Sequence, residues 1–291
     1  MKLLNFLHNG VEQLGILSEC GKYIYPFYSI GLKYGSMLEF IENHNTEDLE
    51  VLKKKRDINI GICIEDITFC PPIPNPKKDL ICIGLNYTKH VEESQKFKNV
   101  DYGKREKSVY FSKRVDRAVP HNGFIQSHDD ITGQLDYEAE LTVIIGKEGR
   151  YIPRDKVFDY IFGFTIMNDV SARDIQNAHK QFYFGKSLDG FCPMGPWIVT
   201  RDEFSEPVHV NVKSYVNGEL RQDANTKDLI FDIPHIISEL SQGITLCPGD
   251  IILTGTPSGV GMGIQPPKWL KSGDVVECEV EGIGVLKNTI K

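Results

Sequence analysis

The stretch LDYEAELTVIIGK, residues 135–147, places two glutamates two positions apart immediately before an apolar run. The run LTVII predicts a buried β-strand, and residues i and i+2 of a strand point to the same face. Glu138 and Glu140 are therefore predicted to lie side by side, and Asp136 would join them if the strand began early. Two carboxylates at that spacing repel each other unless a cation lies between them.

A second apolar stretch, GFTIMND, ends in Asp169, which is predicted to complete an oxygen-only metal site with Glu138 and Glu140. Oxygen ligands suit Mg²⁺, Mn²⁺ or Ca²⁺ better than zinc. A solvent-exposed Glu-x-Glu pair on an edge strand, with Asp169 capping a loop, is the more common use of such a pattern. The spacing alone leaves both interpretations open.

A histidine and a glutamate three residues apart follow another short apolar run, LICIG. The segment NYTKHVEE, residues 86–93, predicts the beginning of a helix on which His90 and Glu93 share one face. A carboxylate beside an imidazole fixes its tautomer, which is how a water-activating base is arranged. An ordinary helical i,i+3 ion pair is the alternative, and it is the more common one for an isolated pair.

Two glycine-containing segments match nucleotide-binding motifs only in part. The GKS segment, residues 185–187, would end a P-loop, but Lys180 stands where that motif requires a glycine. The loop LTGTPSGVGMG, residues 253–263, fails the dinucleotide-binding pattern GxGxxG because Ile264 and Pro266 replace the last glycine. This loop is predicted to be either a plain turn or a backbone whose N–H groups bind a carboxylate.

The chain of 291 residues is acidic, with a formal net charge of -7 and a pI near 5.7. Nucleic-acid binding requires a basic face, and the one dense basic run, residues 53–56, suits the C-terminal end of a predicted helix. No apolar stretch reaches the ~18 residues of a membrane span, and the first residues contain no apolar segment of secretory length. Seven scattered cysteines without a CxxC pair indicate free thiols. We therefore expect a cytoplasmic protein without nucleic-acid or membrane partners.

The chain is predicted to form two domains. Residues 1–70 indicate a small α+β module that contains a hairpin over residues 11–25. Residues 71–79 belong to the proline-rich segment CPPIPNPKKD and predict a linker, because proline disrupts helices and central strands. Residues 80–291 carry short apolar runs between turn residues, so the fold class is predicted to be α+β and mainly β. The two helices of the first module are predicted over residues 36–42 and 46–56.

Six segments occur in an order that resembles the fumarylacetoacetate hydrolase superfamily. They are ICIGLNYTKHVEE (81–93), LDYEAELTVIIGK (135–147), GFTIMNDVSARDIQ (163–176), GKSLDGFCPMGPWIVT (185–200), ILTGTPSGVG (252–261) and LKSGDVVECEVEGIGVLKN (270–288). The resemblance extends from residue 80 to the C-terminus. It implies a mixed β-sandwich roll catalytic domain after a small N-terminal domain, usually in homodimers, and it favours the metal site over the surface alternative.

The resemblance also implies a role for individual residues. The implied ligands of Mg²⁺ or Mn²⁺, with Ca²⁺ as a substitute in a crystal, are Glu138, Glu140 and Asp169. The implied catalytic residues are His90 as general base, Glu93 as its orienting partner and Lys186 as a positive charge near the substrate. The implied substrate-binding residues are Gln176, Thr256 and Arg173, the last with a purely structural role as the alternative. One departure is Gly190, where the family often has threonine, and it would alter the floor of the pocket.

The implied substrate is a 2-oxo acid that chelates the cation, which then acts as an electron sink while a C–C bond breaks. His90 would activate a water that attacks C4 of a 2,4-dioxo acid, such as an acylpyruvate or fumarylpyruvate. Lys186 and backbone N–H groups would hold the oxyanion, and the products would be a pyruvate and a carboxylic acid.

Other activities use the same groups. Isomerisation of a 2-hydroxydienedioate, decarboxylation of a 2-oxo acid and a lyase reaction are alternatives, although His90 and Glu93 favour hydrolysis or decarboxylation over simple tautomerisation. A non-catalytic protein that binds metal and ligand is a second alternative, and the complete set of catalytic groups argues against it.

The sequence does not identify the groups that bind the distal end of the substrate. We expect them in residues 95–114, in residues 181–184 or in a partner chain. Residues 94–105 are rich in lysine and polar residues and are predicted to form a mobile loop that closes over the substrate.

Overall fold

The computed structural model describes residues 1–54, 61–103 and 106–291. The strands are β1 (Lys2–His8), β2 (Val11–Leu17), β3 (Tyr23–Pro26), β4 (Ile62–Cys63), β5 (Thr68–Cys70), β6 (Leu80–Gly84), β7 (Val109–Lys113), β8 (Phe124–Ile125), β9 (Leu135–Asp136), β10 (Ala139–Ile145), β11 (Ile161–Asn168), β12 (Ser171–Ala172), β13 (Met194–Thr200), β14 (Asn211–Val216), β15 (Glu219–Asn225), β16 (Ile251–Leu253), β17 (Val275–Val280) and β18 (Gly284–Ile290). The helices are α1 (Met37–Asn43), α2 (Thr46–Lys53), α3 (Thr88–Lys98), α4 (Arg173–Ala178), α5 (Tyr183–Lys186) and α6 (Ile233–Ser241). Within these described ranges, no helix has the length and apolar character to cross a membrane.

The strands form two large sheets and one short pair. The first sheet has eleven strands in the order β4-β3-β2-β1-β13-β11-β10-β16-β6-β7, with β5 paired to β1. The second has five strands in the order β15-β14-β17-β18-β8, and β9 pairs with β12. Most neighbours are antiparallel, whereas β6–β16 and β8–β18 are parallel. The predicted fold class, α+β and mainly β, is confirmed.

The two large sheets pack face to face around the main core. Leu141 and Val143 of β10 share this core with Val212 of β14 and Val280 of β17. On the opposite face of the large sheet, Ile144 packs in a second core that contains residues of α1 and α2. Because β10 and β11 are covered on both faces, every residue of these strands is buried. This explains why their sequences are largely apolar rather than alternating between apolar and polar residues.

The first strand joins the N-terminal segment to the large sheet. Strand β1 is antiparallel to β13, with Leu3 opposite Ile198. The predicted hairpin is confirmed as β2 and β3, and Asn45 caps α2 as part of a capping box. Helix α2 ends at Lys53, because Lys54 has an extended backbone (ψ 138°), so the predicted continuation of this helix is wrong at Lys54. The last two residues of the predicted helix, 55 and 56, lie outside the described residues. The division into an N-terminal domain, a linker and a catalytic domain stays a prediction.

Helix α3 is longer than the sequence suggested. Its buried residues are His90, Val91 and Ser94, and Asn99 ends it in the left-handed conformation with φ 51°. The prediction of a loop from Ser94 onwards is therefore wrong as far as Lys98. The polar composition reflects a helix with one narrow buried face rather than an irregular segment. The last two residues of the predicted loop, Lys104 and Arg105, lie outside the described ranges.

Candidate active site and metal centre

Three carboxylates meet where β10 and β11 lie side by side. The strands are antiparallel and Ala139 pairs with Asn168, which brings the two glutamates that flank Ala139 close to Asp169. One oxygen from each of Glu138, Glu140 and Asp169 lies within 4.8 Å of the others, and all three residues are buried. The structure therefore brings together the three residues that were predicted as metal ligands.

Buried cations neutralise two of these carboxylates. Glu138 lies 2.6 Å from Nη2 of Arg173 and 2.6 Å from Nζ of Lys186. Asp169 lies 2.7 Å from Nζ of Lys186 through one oxygen and 2.7 Å from Nζ of Lys113 through the other. Burial raises the pKa of Glu138, but the charges of Lys186 and Arg173 outweigh it and lower the pKa to about 2. Glu138 is therefore ionised at neutral pH.

Glu140 has a different environment. It accepts a hydrogen bond from the Gly255 N–H at 2.6 Å, and the described residues offer it no ion pair within 4 Å. Burial, together with the charges of Asp169 and Glu138, raises its pKa well above the ordinary value. A carboxylate in this position needs either a proton or a cation. The oxygen-only donors and the uncompensated charge fit a hard divalent cation such as Mg²⁺ or Mn²⁺.

His90 and Glu93 form a hydrogen-bonded pair on α3. Nδ1 of His90 lies 3.1 Å from Oε2 of Glu93, and the other oxygen of Glu93 accepts a hydrogen bond from the Gly259 N–H at 2.9 Å. The carboxylate favours the tautomer with the proton on Nδ1, which leaves Nε2 as the basic nitrogen. His90 lines the same cleft as Glu138 and Glu140. The pair therefore has the arrangement of a positioned general base.

The glycine-rich loop after β16 holds the acidic residues of the site. Its N–H groups donate to Glu140 from Gly255 and to Glu93 from Gly259. Gly259 has φ 102°, and a Cβ there would lie 2.0 Å from the carbonyl oxygen of Arg221. The loop therefore binds carboxylates through its backbone, as one of the two sequence interpretations expected, but these carboxylates belong to the protein itself.

Asp136 does not join the metal-ligand cluster. It accepts hydrogen bonds from Nε of Arg173 at 2.9 Å, from the Gly261 N–H at 2.6 Å and from the Met262 N–H at 3.1 Å. It lies on β9, and β10 begins only at Ala139, so the condition under which Asp136 would join Glu138 and Glu140, an earlier start of that strand, is not met. Its contacts anchor the glycine-rich loop to Arg173.

The predicted substrate-binding residues all line the cleft. Arg173 pairs with Asp136 and Glu138, and its Nη1 donates to Oε1 of Gln176 at 3.0 Å. The hydroxyl of Thr256 donates to the Ala139 carbonyl at 3.0 Å. Arg173 and Thr256 thus have structural contacts, and the substrate-binding role of these three residues stays a prediction.

Two buried residues of the site were missed by sequence reasoning. Lys113, at the end of β7, is fully buried and donates to Asp169 and to the Val170 carbonyl. Gln222 of β15 accepts from the Ala139 N–H and donates to the hydroxyl of Thr256. For Lys113, the sequence offered one signal, its position at the end of the apolar strand VYFSK. That signal does not identify Asp169 as its partner.

The cleft is small. Its free volume of about 30 Å³ is room for roughly two water molecules. Leu85, at the junction of β6 and α3, lines it with φ 56°, a left-handed conformation that is strained for a bulky side chain. The space beside His90, Glu138 and Glu140 is therefore narrow in this structure.

Comparison with known proteins gives consistent matches. Residues 79–291 match the family model described as fumarylacetoacetate (FAA) hydrolase C-terminal. The oxaloacetate tautomerase YisK of Bacillus subtilis is 43% identical over 265 residues, which cover 88% of this chain and 86% of that protein. A solved fumarylacetoacetate hydrolase from Exiguobacterium antarcticum is 39% identical, with a TM-score of 0.85, 100% of this chain covered and 99% of that one. The maleylpyruvate hydrolase of Sphingobium sp. SYK-6, solved with manganese(II) and pyruvate, is 27% identical with a TM-score of 0.75, and 100% and 98% of the two chains are covered.

Proposed function

Because this chain belongs to the fumarylacetoacetate hydrolase family, we propose that it is a divalent-metal-dependent enzyme that acts on a short 2-oxo acid. The reaction we propose first is keto–enol tautomerisation of a dicarboxylic 2-oxo acid, with oxaloacetate as the test substrate. The observation that carries the proposal is His90, which is hydrogen-bonded to Glu93 and lines the same small cleft as Glu138 and Glu140. A base in this position can move a proton of the bound acid as well as activate a water, so the pair does not by itself favour hydrolysis over tautomerisation, contrary to the expectation from the sequence. The 43% identity to a protein named oxaloacetate tautomerase supports this substrate class.

The proposed cation site consists of Glu138, Glu140 and Asp169. A cation bound there supplies Lewis-acid polarisation of a coordinated oxygen. Lys186 bridges Glu138 and Asp169, and Lys113 holds the second oxygen of Asp169. These contacts keep the carboxylates in place, so that little rearrangement accompanies ligand binding.

His90 performs the proton transfer in this proposal. Its Nδ1 is engaged by Glu93, so Nε2 takes a proton from C3 of the keto acid. The carboxylate of Glu93, held by the Gly259 N–H, stabilises the resulting imidazolium. Nε2 then returns the proton to the 2-oxo oxygen and gives the enol. One C–H bond breaks and one O–H bond forms, so the composition of the substrate does not change.

Hydrolysis of a 2,4-dioxo acid, of the acylpyruvate or fumarylpyruvate type, is the second candidate. It is favoured by the same His90–Glu93 pair, since Nε2 can equally take the proton of a water that attacks C4. One of the solved relatives is named for the hydrolysis of such an acid, maleylpyruvate. In this reaction the C3–C4 bond breaks, the C4 carbon leaves as a carboxylic acid, and C3 takes a proton to form the pyruvate.

We infer further that the protein is a cytoplasmic homodimer that uses Mg²⁺ or Mn²⁺. Seven free cysteines, three of them buried, suit a reducing compartment. Light scattering at several protein concentrations tests the dimer, and titration of both cations into protein treated with EDTA tests the metal.

The decisive assay follows ultraviolet absorbance of the enol and pyruvate release in parallel, with and without Mg²⁺. The substrates are oxaloacetate, acetylpyruvate, fumarylpyruvate and a 2-hydroxydienedioate. A metal-dependent change in oxaloacetate absorbance without pyruvate supports the tautomerase. Pyruvate from oxaloacetate identifies a decarboxylase, and pyruvate from a 2,4-dioxo acid identifies the hydrolase.

Inactivity towards every substrate would overturn the proposal. If the protein then still bound Mg²⁺ and oxalate, it would be a binding protein. Oxalate serves here because it has the chelating end of a 2-oxo acid and no carbon from which a proton can be removed.

A further inference from the structure

One face of α3 runs along the cleft. His90, Ser94 and Lys98 follow each other at intervals of four residues, and all three line the cleft. This is the spacing of one helical face. Lys96, two residues before Lys98, is exposed and does not line the cleft. The helix therefore presents first a base and then, two turns later, a positive charge.

Lys98 differs from the other cations of the cleft in its partners. Arg173 and Lys186 form ion pairs with the carboxylates of the site. Lys98 is half-buried, and among the described residues no carboxylate lies within 4 Å of its ammonium group. Its Nζ lies 5.4 Å from the centre of the Phe182 ring. A carboxylate is a stronger partner for an ammonium group than an aromatic face. An ion pair between Lys98 and an acidic ligand would therefore be more stable than its present contact with the Phe182 ring.

Lys98 follows His90 by two turns of α3, on the same side of the cleft. Eight residues of α-helix separate the Cα atoms of His90 and Lys98 by about 12 Å. Side chains on a helix lean towards its N-terminus, so the four methylene groups of Lys98 carry its ammonium back towards His90. A 2-oxo acid bound by its chelating end at the carboxylate cluster, with C3 at His90, would direct its far end towards Lys98.

We propose that Lys98 is the specificity-determining residue that binds the distal carboxylate of a dicarboxylic 2-oxo acid, in exchange for its contact with Phe182. This inference rests on the proposed function for the position of the other end of the substrate. Lys98 and Phe182 lie in residues 95–114 and 181–184, the two segments in which the groups that bind the distal end of the substrate were expected from the sequence. The assignment predicts a preference for oxaloacetate over 2-oxobutyrate, which has a methyl group in place of the distal carboxylate.

The test measures binding to the Mg²⁺-loaded protein by calorimetry, with oxaloacetate, 2-oxobutyrate and oxalate as ligands. Wild-type protein is expected to prefer oxaloacetate to 2-oxobutyrate by about tenfold or more. Lys98→Met is expected to remove this preference and to leave oxalate affinity unchanged, whereas Lys98→Arg retains part of the preference. Lys96→Met is the matched control and is expected to behave as wild type.

The outcomes separate this inference from the proposed function. If Lys98→Met still binds oxalate and keeps the full preference for oxaloacetate, the role of Lys98 is overturned and the proposed function stands. If wild-type protein binds none of the three ligands, the proposed function fails and the role of Lys98 fails with it.

Discussion

The carboxylate of Glu93 lies directly against Gly263, where an added Cβ atom would come within 1.7 Å of Oε1 and 1.9 Å of Cδ. Glycine at this position leaves the space in which Glu93 reaches both His90 and the Gly259 N–H. The glycine-rich loop therefore determines the position of His90, the proposed base, through Glu93, although it does not touch the imidazole in any hydrogen bond of the described residues.

Gly263→Ala is expected to lower kcat by about a hundredfold, because a misplacement near 1 Å of a catalytic group has an effect of that size. Steady-state kinetics with Mg²⁺ measures the loss. Gly243→Ala is the matched control, since a Cβ there meets nothing within 4 Å. The double variant Gly263→Ala/Glu93→Asp is expected to regain part of the activity relative to Gly263→Ala, because the shorter side chain makes room. Wild-type kcat in Gly263→Ala would contradict the positioning role.

Without metal, the stability of the protein is expected to fall as pH rises. The pKa of Glu140 is raised in the folded state above its ordinary value of 4.5. The folded state then binds more protons than the unfolded state between these two pKa values, so stability decreases with pH across that range. Thermal unfolding in EDTA and in Mg²⁺, from about pH 5 to about pH 8, measures the effect. The stabilisation by Mg²⁺ is expected to grow with pH.

Glu140→Gln serves as the control for this pH dependence. The amide has no proton to lose, so the variant is expected to show a flatter profile in EDTA and a much smaller stabilisation by Mg²⁺. An equal rise in Tm with Mg²⁺ at acidic and neutral pH, in wild-type protein, would refute the assignment.

Lys113→Met is expected to destabilise the metal-free protein by about 3–5 kcal/mol, because it leaves a buried carboxylate of Asp169 with one cation fewer. Both partners are buried, so solvent does not compensate for the loss. Urea unfolding at neutral pH measures the change, with the exposed Lys271→Met as control. Mg²⁺ is expected to recover part of the stability. A loss below about 1 kcal/mol, as for a surface ion pair, would show that Lys113 does not support Asp169.

Much of this site could be predicted from local sequence patterns. Strand periodicity placed Glu138 beside Glu140, and helix periodicity placed His90 beside Glu93. The resemblance to the fumarylacetoacetate hydrolase superfamily, which is confirmed, supplied the connection of both pairs to Asp169. Each of these inferences depends on neighbours in sequence or on an ordered set of segments.

The remaining contacts join residues that are far apart in the chain. Lys113 is 56 residues from Asp169, and Gln222 is 83 residues from Ala139. No periodicity links such positions, since the pairing follows from which strands become neighbours in the sheets. The same reason explains why the pairing of β1 with β13 was not predicted. The length of α3 was missed because its few buried residues give a weak helical pattern.

The role of His90 can be separated from metal binding by substitution. His90→Gln removes the base but not a metal ligand, so turnover is expected to fall by about 10²- to 10⁴-fold. Binding of Mg²⁺ and oxalate, measured by calorimetry, is expected to stay within about threefold of wild type, because Glu138, Glu140 and Asp169 are unchanged. Glu93→Gln is expected to give a smaller loss of kcat, since the imidazole keeps a hydrogen-bond partner but loses the stabilising charge.

If His90→Gln lost oxalate binding together with activity, the histidine would be part of the ligand site rather than the base. If it kept full activity, proton transfer would have to come from another group of the cleft, with Lys186 as the next candidate because it lines the same space.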